Sequence, residues 1–178
     1  MTMQFIFLYG KPATGKLTVG QELAKLTSYP LFHNHLIVDA VKAIHPFASA
    51  GFIAMRDALW RTAFTQIVKA TDLPGLIFTF NPEETVPQAF VDDLFAMFDD
   101  AGHDIRVFEL TCPEEEIERR LAQPSRSNYG KLTDPALYQK AREDGFFSTP
   151  RITRNRTVID TSAQSAAKSA RLIADHLG

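Results

Sequence analysis

A chain of 178 residues with 45% hydrophobic content is long enough to bury a substantial core, and a single domain over 1–178 is the expectation. No apolar stretch approaches the length of a membrane span, and a formal charge of −2 without a long basic run gives no footprint for nucleic acid. The one cysteine, Cys112, excludes an intramolecular disulfide; with no basic segment and cleavage-type site at the start, it points to a cytoplasmic protein with a small-molecule ligand.

The first predicted element is the apolar run from Gln4 to Tyr9, which reads as a buried strand. It leads into Gly10-Lys11-Pro12-Ala13-Thr14-Gly15-Lys16, a match to G-x-x-x-x-G-K, and Lys16 to Leu26 follows with helical apolar spacing at 19, 23 and 26. A strand, a glycine loop and a helix in that order form an anion cradle, because loop N–H groups and the positive end of the helix face the same point. The glycines permit a backbone approach that a Cβ would block. Lys16 reaches β/γ-phosphates in such a loop, and Thr18 is placed for a more distal phosphate such as the α. Leu17 stands where a Ser or Thr hydroxyl normally ligates Mg²⁺, so one part of the metal site is missing.

A second short strand is predicted at Pro30 to His33, followed by His33-Asn34-His35 and a helix over Leu36 to Ile44. Asn34 either caps that helix or faces a ligand, and His35 has an ordinary pKa suited to accepting a hydroxyl proton. Asp39 is the next carboxylate, a fallback base or a surface partner of Lys42. The helix predicted from Phe52 to Ala70 carries Arg56 on its apolar stripe, in line with Phe52, Trp60 and Ala63. A cation there needs an anionic partner, either a bound substrate or a group of the protein itself. A third strand, Gly75 to Phe80, ends at Asn81-Pro82, where Asn81 serves the turn or points at a ligand, with Thr79 beside it.

The helix Val86 to Asp100 and the strand Ile105 to Leu110 come next. Cys112-Pro113-Glu114-Glu115-Glu116 then opens a helix with Pro at a first helical position and acids in the first turn. Arg119 and Arg120 lie four residues after Glu115 and Glu116, as surface ion pairs would. From Gln123 to Thr133 the chain is polar and basic with Pro and Gly, and Asp134-Pro135 starts another helix, so the interval reads as a mobile flap. A fifth strand at Thr157 to Ile159 and a helix from Ser162 to Leu177 close the order. Arg151, Arg154 and Arg156 either add phosphate contacts or form a solvated surface. Strand–helix alternation of this kind predicts a parallel sheet with helices on both faces and a ligand at the carboxyl ends of the strands.

These features resemble the P-loop small-molecule kinases of the shikimate kinase, nucleoside monophosphate kinase and chloramphenicol phosphotransferase type. The phosphate loop carries the resemblance, supported by Arg120, Arg126 and Lys131 in the flap and by Ile159-Asp160-Thr161-Ser162 before the last helix. The resemblance implies a three-layer α/β/α fold whose five-stranded parallel sheet has the order 2-3-1-4-5, with a helical lid over roughly 120–146. It implies ATP on Gly10, Lys11, Pro12, Ala13, Thr14, Gly15, Lys16, Leu17 and Thr18, with Arg120 stacking on adenine, Thr161 nearby, and Arg126 on the phosphates. It places the acceptor between strands two and three, near His33, Asn34, Arg56 and Asn81, with His35 or Asp39 as base. The implied activity is γ-phosphoryl transfer to a small, anionic metabolite, with Mg²⁺ held mainly by nucleotide and water and no protein metal ligands. Two alternatives are a non-catalytic nucleotide-binding module, favoured by Leu17, and a polynucleotide-end kinase, disfavoured by the charge.

Overall fold

The computed structural model describes residues 2–123 and 132–178. Along the chain it contains β1 (Gln4–Tyr9), α1 (Lys16–Thr27), β2 (Leu31–His33), α2 (His35–Lys42), α3 (Ala50–Ile67), β3 (Gly75–Phe80) and α4 (Gln88–Asp100). There follow β4 (Asp104–Thr111), α5 (Glu114–Leu121), α6 (Pro135–Glu143), β5 (Thr157–Asp160) and α7 (Ala166–Ala174). The five strands form one parallel sheet in the order β2-β3-β1-β4-β5, as the resemblance implies. The expected lid residues Arg126 and Lys131 lie outside the described residues.

Side-chain alternation in the central strand explains the layers. In β1, Phe5, Phe7 and Tyr9 point to one face and Ile6 and Leu8 to the other. The first face packs on α3 and α4 through an aromatic core in which Phe5 stacks on Phe98 at 3.9 Å and Phe64 meets Phe78 edge-on at 5.0 Å. The second face packs on α1 and α7 through Val19, Leu23 and Ile173. A strand covered on both sides reads as an unbroken apolar run, and β3 is buried over its whole length.

Helix ends differ from the sequence reading where caps decide them. Ser49 accepts from the Phe52 amide at 3.2 Å, so α3 begins at Ala50. The last helix begins at Ala166 because Asp160 Oδ1 takes the Ser162 amide at 2.7 Å in a turn, leaving Ser165 to cap α7. Pro113 stands one position earlier than expected, as the N-cap of α5. Asn34 sits at the N-cap of α2 in helical conformation and its side chain makes no cap hydrogen bond. Asp134 caps α6 as expected, accepting from the Ala136 and Leu137 amides at 2.8 and 3.3 Å.

Candidate functional site

The loop between β1 and α1 is held in a shape few residues other than glycine tolerate. Gly10 has φ of 154°, and a Cβ there would stand 2.2 Å from the Leu110 carbonyl oxygen of the neighbouring strand. Gly15 caps α1 at φ 89°, and Ala13 takes φ 64° without being glycine, a local cost of the kind found where function demands a backbone shape. The first turn of α1 has no acidic residue, so its positive end is not offset locally. Lys16 Nζ donates to the carbonyls of Gly10 and Lys11, each at 2.7 Å, and lies 3.5 Å from Asn81 Oδ1 at the end of β3. Buried Thr14 braces the turn by donating to the Lys11 carbonyl at 3.0 Å.

Two side chains tie this loop to the rest of the sheet edge. Arg120, on α5, donates through Nε to Glu116 at 2.6 Å, through Nη1 to Ala13 O at 3.3 Å and Thr161 Oγ1 at 3.0 Å, and through Nη2 to Thr161 O at 2.6 Å. These in-plane bonds commit the guanidinium edge to the protein and leave its faces for stacking. Thr161, buried, donates onward to the Thr14 carbonyl at 2.9 Å. Arg119 pairs with Glu116 as well, three residues back and not with Glu115, and these bonds hold the Glu116 carboxyl down at about 2. On the other flank Glu114 accepts from Lys11, from Tyr138 Oη at 2.8 Å and from Arg142 at 3.3 Å, which links the loop to α6. Cys112 Sγ lies 3.8 Å from Arg120 Nη1, and burial pushes its thiol pKa up.

A cleft of about 1080 Å³ opens beside this framework at the carboxyl ends of the strands. Pro12, Ala13, Gly15, Lys16, Leu17 and Thr18 line it from the loop, with Arg120 and Thr161 beside them. Asn34, His35, Trp60, Asn81 and Glu83 line the same cavity from the β2–β3 side. Gly10 and Lys11 border a second cavity of about 370 Å³ behind the loop, with Arg151 and Arg156. Arg156 is bonded to Glu109 at 2.5 Å, and Arg154 pairs with Asp99 over the Phe95 ring. His35 Nδ1 stands 3.6 Å from Asp39 Oδ1, one helical turn on, while Asp39 and His33 do not line the cleft.

Of the two partners the sequence left open for Arg56, the structure shows groups of the protein itself, around a fully buried guanidinium. Asp57 Oδ1 accepts from Nε and Nη2 at 3.0 and 2.9 Å, while Nη1 reaches Thr85 Oγ1 at 2.8 Å and Glu83 Oε1 at 3.4 Å. The Thr85 carbonyl takes a further bond at 2.6 Å, and the guanidinium lies 5.5 and 5.0 Å from the Phe52 and Trp60 ring centres. It does not line the cleft, and the expectation of an anionic acceptor loses the residue on which it rested. What Arg56 presents to the cleft instead is Glu83, a carboxylate the sequence reading passed over. Burial pushes the Glu83 pKa up, opposed by Thr85, Arg56 and Asn81. Its signal was positional: Glu83 stands three residues past the carboxyl end of a strand.

The residues present fit a nucleotide's phosphates, since the α1 end carries no acid in its first turn and Lys16 Nζ lies against the loop. For Mg²⁺, Leu17 offers no oxygen, and among the described residues no group of three or more His, Cys, Asp or Glu side chains could hold a metal. Among the described residues no helix is long and apolar enough to cross a membrane.

No protein-family model matches the sequence, and no curated protein does. Solved structures do match in fold. One from Chloroflexus aurantiacus superposes over 100% of both chains with a TM-score of 0.70 at 18% identity. The APS kinase of Mycobacterium tuberculosis, in complex with AMPPNP and APS, covers 99% of this chain and 98% of its own at 0.66 and 17%. Shikimate kinase from Acinetobacter baumannii, in complex with shikimate, covers 99% and 93% at 0.57 and 17%. At these identities the likeness is one of architecture: the chain shares with these structures a parallel α/β fold, here with its five strands in the order β2-β3-β1-β4-β5.

Proposed function

We propose that this protein is an ATP-dependent kinase that phosphorylates a hydroxyl of a small molecule. The observation that carries the reading is the continuity of the cleft: the phosphate loop and Lys16 share one cavity with Asn81, His35 and Glu83. Lys16 Nζ, 3.5 Å from Asn81 Oδ1, stands where donor and acceptor would meet. ATP would supply the γ-phosphoryl group, and a divalent cation bound with it would offset the negative charge of its phosphates. The acceptor oxygen bonds to the γ-phosphorus while the bond to the β,γ-bridging oxygen breaks, and ADP leaves with that electron pair.

In this reading the loop amides and Lys16 hold the phosphates, Thr18 bonds a distal phosphate, and the faces of Arg120 flank adenine. Asn81 orients the acceptor. His35, with Asp39 behind it to fix the ring, takes the hydroxyl proton. Arg126 would add charge over the transferring group from the lid. Little covalent work falls to the protein, so positioning and electrostatics supply most of the rate. A cytoplasmic setting, rich in ATP and reducing enough for a lone thiol, suits this chemistry.

Leu17 favours one rival, a nucleotide-binding module without turnover. Titration calorimetry with AMPPNP tests the nucleotide site that both readings share, and ADP release in the presence of a small-molecule extract decides between them. A kinase shows binding that strengthens with Mg²⁺ and falls by 10-fold or more in Lys16→Ala, about 1.4 kcal/mol or more. Affinity indifferent to both would sink the kinase reading.

A further inference from the structure

The cleft wall built by α2, α3 and the segment after β3 has the wrong charge for an acid. The formal charges of this wall are Lys42 against Glu83 and Glu84, with His35 its one further titratable side chain among the described residues; Lys16, Arg120, Lys140 and Asp144 line the other sides of the cleft. The one guanidinium buried behind it, Arg56, is saturated by Asp57, Glu83 and Thr85. A carboxylate oxygen only accepts hydrogen bonds, so Glu83 selects a ligand that brings a hydroxyl or amine to it and repels one that brings another anion. Asn81, within the same cavity, both donates and accepts.

Apolar surface completes the wall. The Trp60 ring is 2% exposed, lines the cleft, and has an Nε1 without a hydrogen-bond partner in the protein. Buried indole N–H groups ordinarily find a partner, and this one is enclosed by the protein, so the ring offers the cleft its apolar surface. Phe47, Val38 and Val86 extend the apolar lining around it.

Resting on the kinase reading above, we propose that the phosphoryl acceptor is an uncharged hydroxyl compound with an apolar face, held by Glu83 and Asn81 against the Trp60 indole. Among the described residues, this wall presents no arginine to grip a carboxylate, sulfate or phosphate ester, since Arg56 is held by the protein. Sugars, cyclitols and nucleosides belong to the proposed class.

The test separates candidate acceptors by charge before their identity is known. A small-molecule bacterial extract is passed over an anion exchanger at pH 8, and the flow-through and the salt-eluted fraction are each supplied with ATP, Mg²⁺ and the full-length protein. ADP release driven by the flow-through is expected; release driven by the retained fraction overturns the proposal. Release with neither fraction, though AMPPNP still binds, overturns the kinase reading and takes the acceptor class with it.

Glu83→Gln should then cut turnover with the flow-through about 10-fold or more through the acceptor KM, with AMPPNP affinity unchanged, the loss expected for one hydrogen bond to a charged group. Because Glu83 also braces Arg56, Glu83→Asp serves beside it: the charge stays but the reach shortens by one methylene. An unchanged acceptor KM in both variants overturns the assignment of Glu83. The exposed Glu115→Gln is the control that leaves turnover alone.

Discussion

Single residues here differ sharply in what they carry, and Arg56 and Arg61 on the same helix show the range. Arg56 is enclosed and offsets two carboxylates, Asp57 and Glu83. Arg56→Met strands both, and a loss of about 3–5 kcal/mol in urea unfolding is expected. Arg61 pairs with Asp93 at 2.9 Å in solvent, and Arg61→Ala should shift stability by no more than about 0.5 kcal/mol. Gly10→Ala drives a methyl into the Leu110 carbonyl at a left-handed backbone position. Because backbone cannot yield there as a side-chain tip does, the variant should unfold at lower urea and bind AMPPNP more weakly.

At the scale of elements, α5 joins the phosphate loop to the strand ends, and its acid Glu116 makes that joint depend on pH. Hydrogen bonds from Arg119, then Arg120, lower the folded carboxyl to about 2 from an ordinary 4.5. A depressed carboxyl pKa stabilises the fold fully above the unfolded value, and that contribution fades as pH falls through the folded one. The melting temperature of wild type should therefore exceed that of Glu116→Gln by a constant margin from pH 8 to about 5, narrowing toward pH 2. A margin that grew in acid would show the ion pairs to be unimportant. Across from α5, Tyr138→Phe removes the hydroxyl that α6 gives to Glu114 while keeping the ring in place. Loss of one such bond is expected to cost about 1–2 kcal/mol, read by chemical denaturation.

For the whole molecule, what the sequence shows depends on range. The phosphate loop and the strand runs are local patterns, so β1, β3 and the Gly10–Lys16 loop could be read directly, and their alternation with helices implied the layers. The spatial order of the strands is not local; the resemblance supplied it. Arg56 shows the limit most clearly. Periodicity placed it on the buried stripe, but its partners Glu83 and Thr85 lie 27 and 29 residues away, beyond anything helical spacing reports. Glu83 and Trp60 escape notice for the same reason, since nothing local marks Glu83 as the partner of a residue 27 positions earlier and Trp60 falls on the apolar stripe of its helix. The two-residue shift at the start of α3 and the four-residue shift at α7 came from serine caps, whose hydrogen bonds compete with apolar periodicity at helix ends.

Cys112 gives the molecule a property useful to the experimenter. It is the chain's one thiol, and it sits against Arg120, the side chain that grips Ala13 and Thr161 around the loop. A fluorophore or isotope attached by thiol chemistry therefore lands at one address, beside Arg120 and the Gly10–Lys16 loop, without any cysteine having to be removed first. Burial raises the thiol pKa, so less thiolate is present near neutrality and labelling should run slower than for free cysteine, then accelerate as pH rises. Saturating AMPPNP should change that rate in the native protein, making one alkylation time course a label-free occupancy assay.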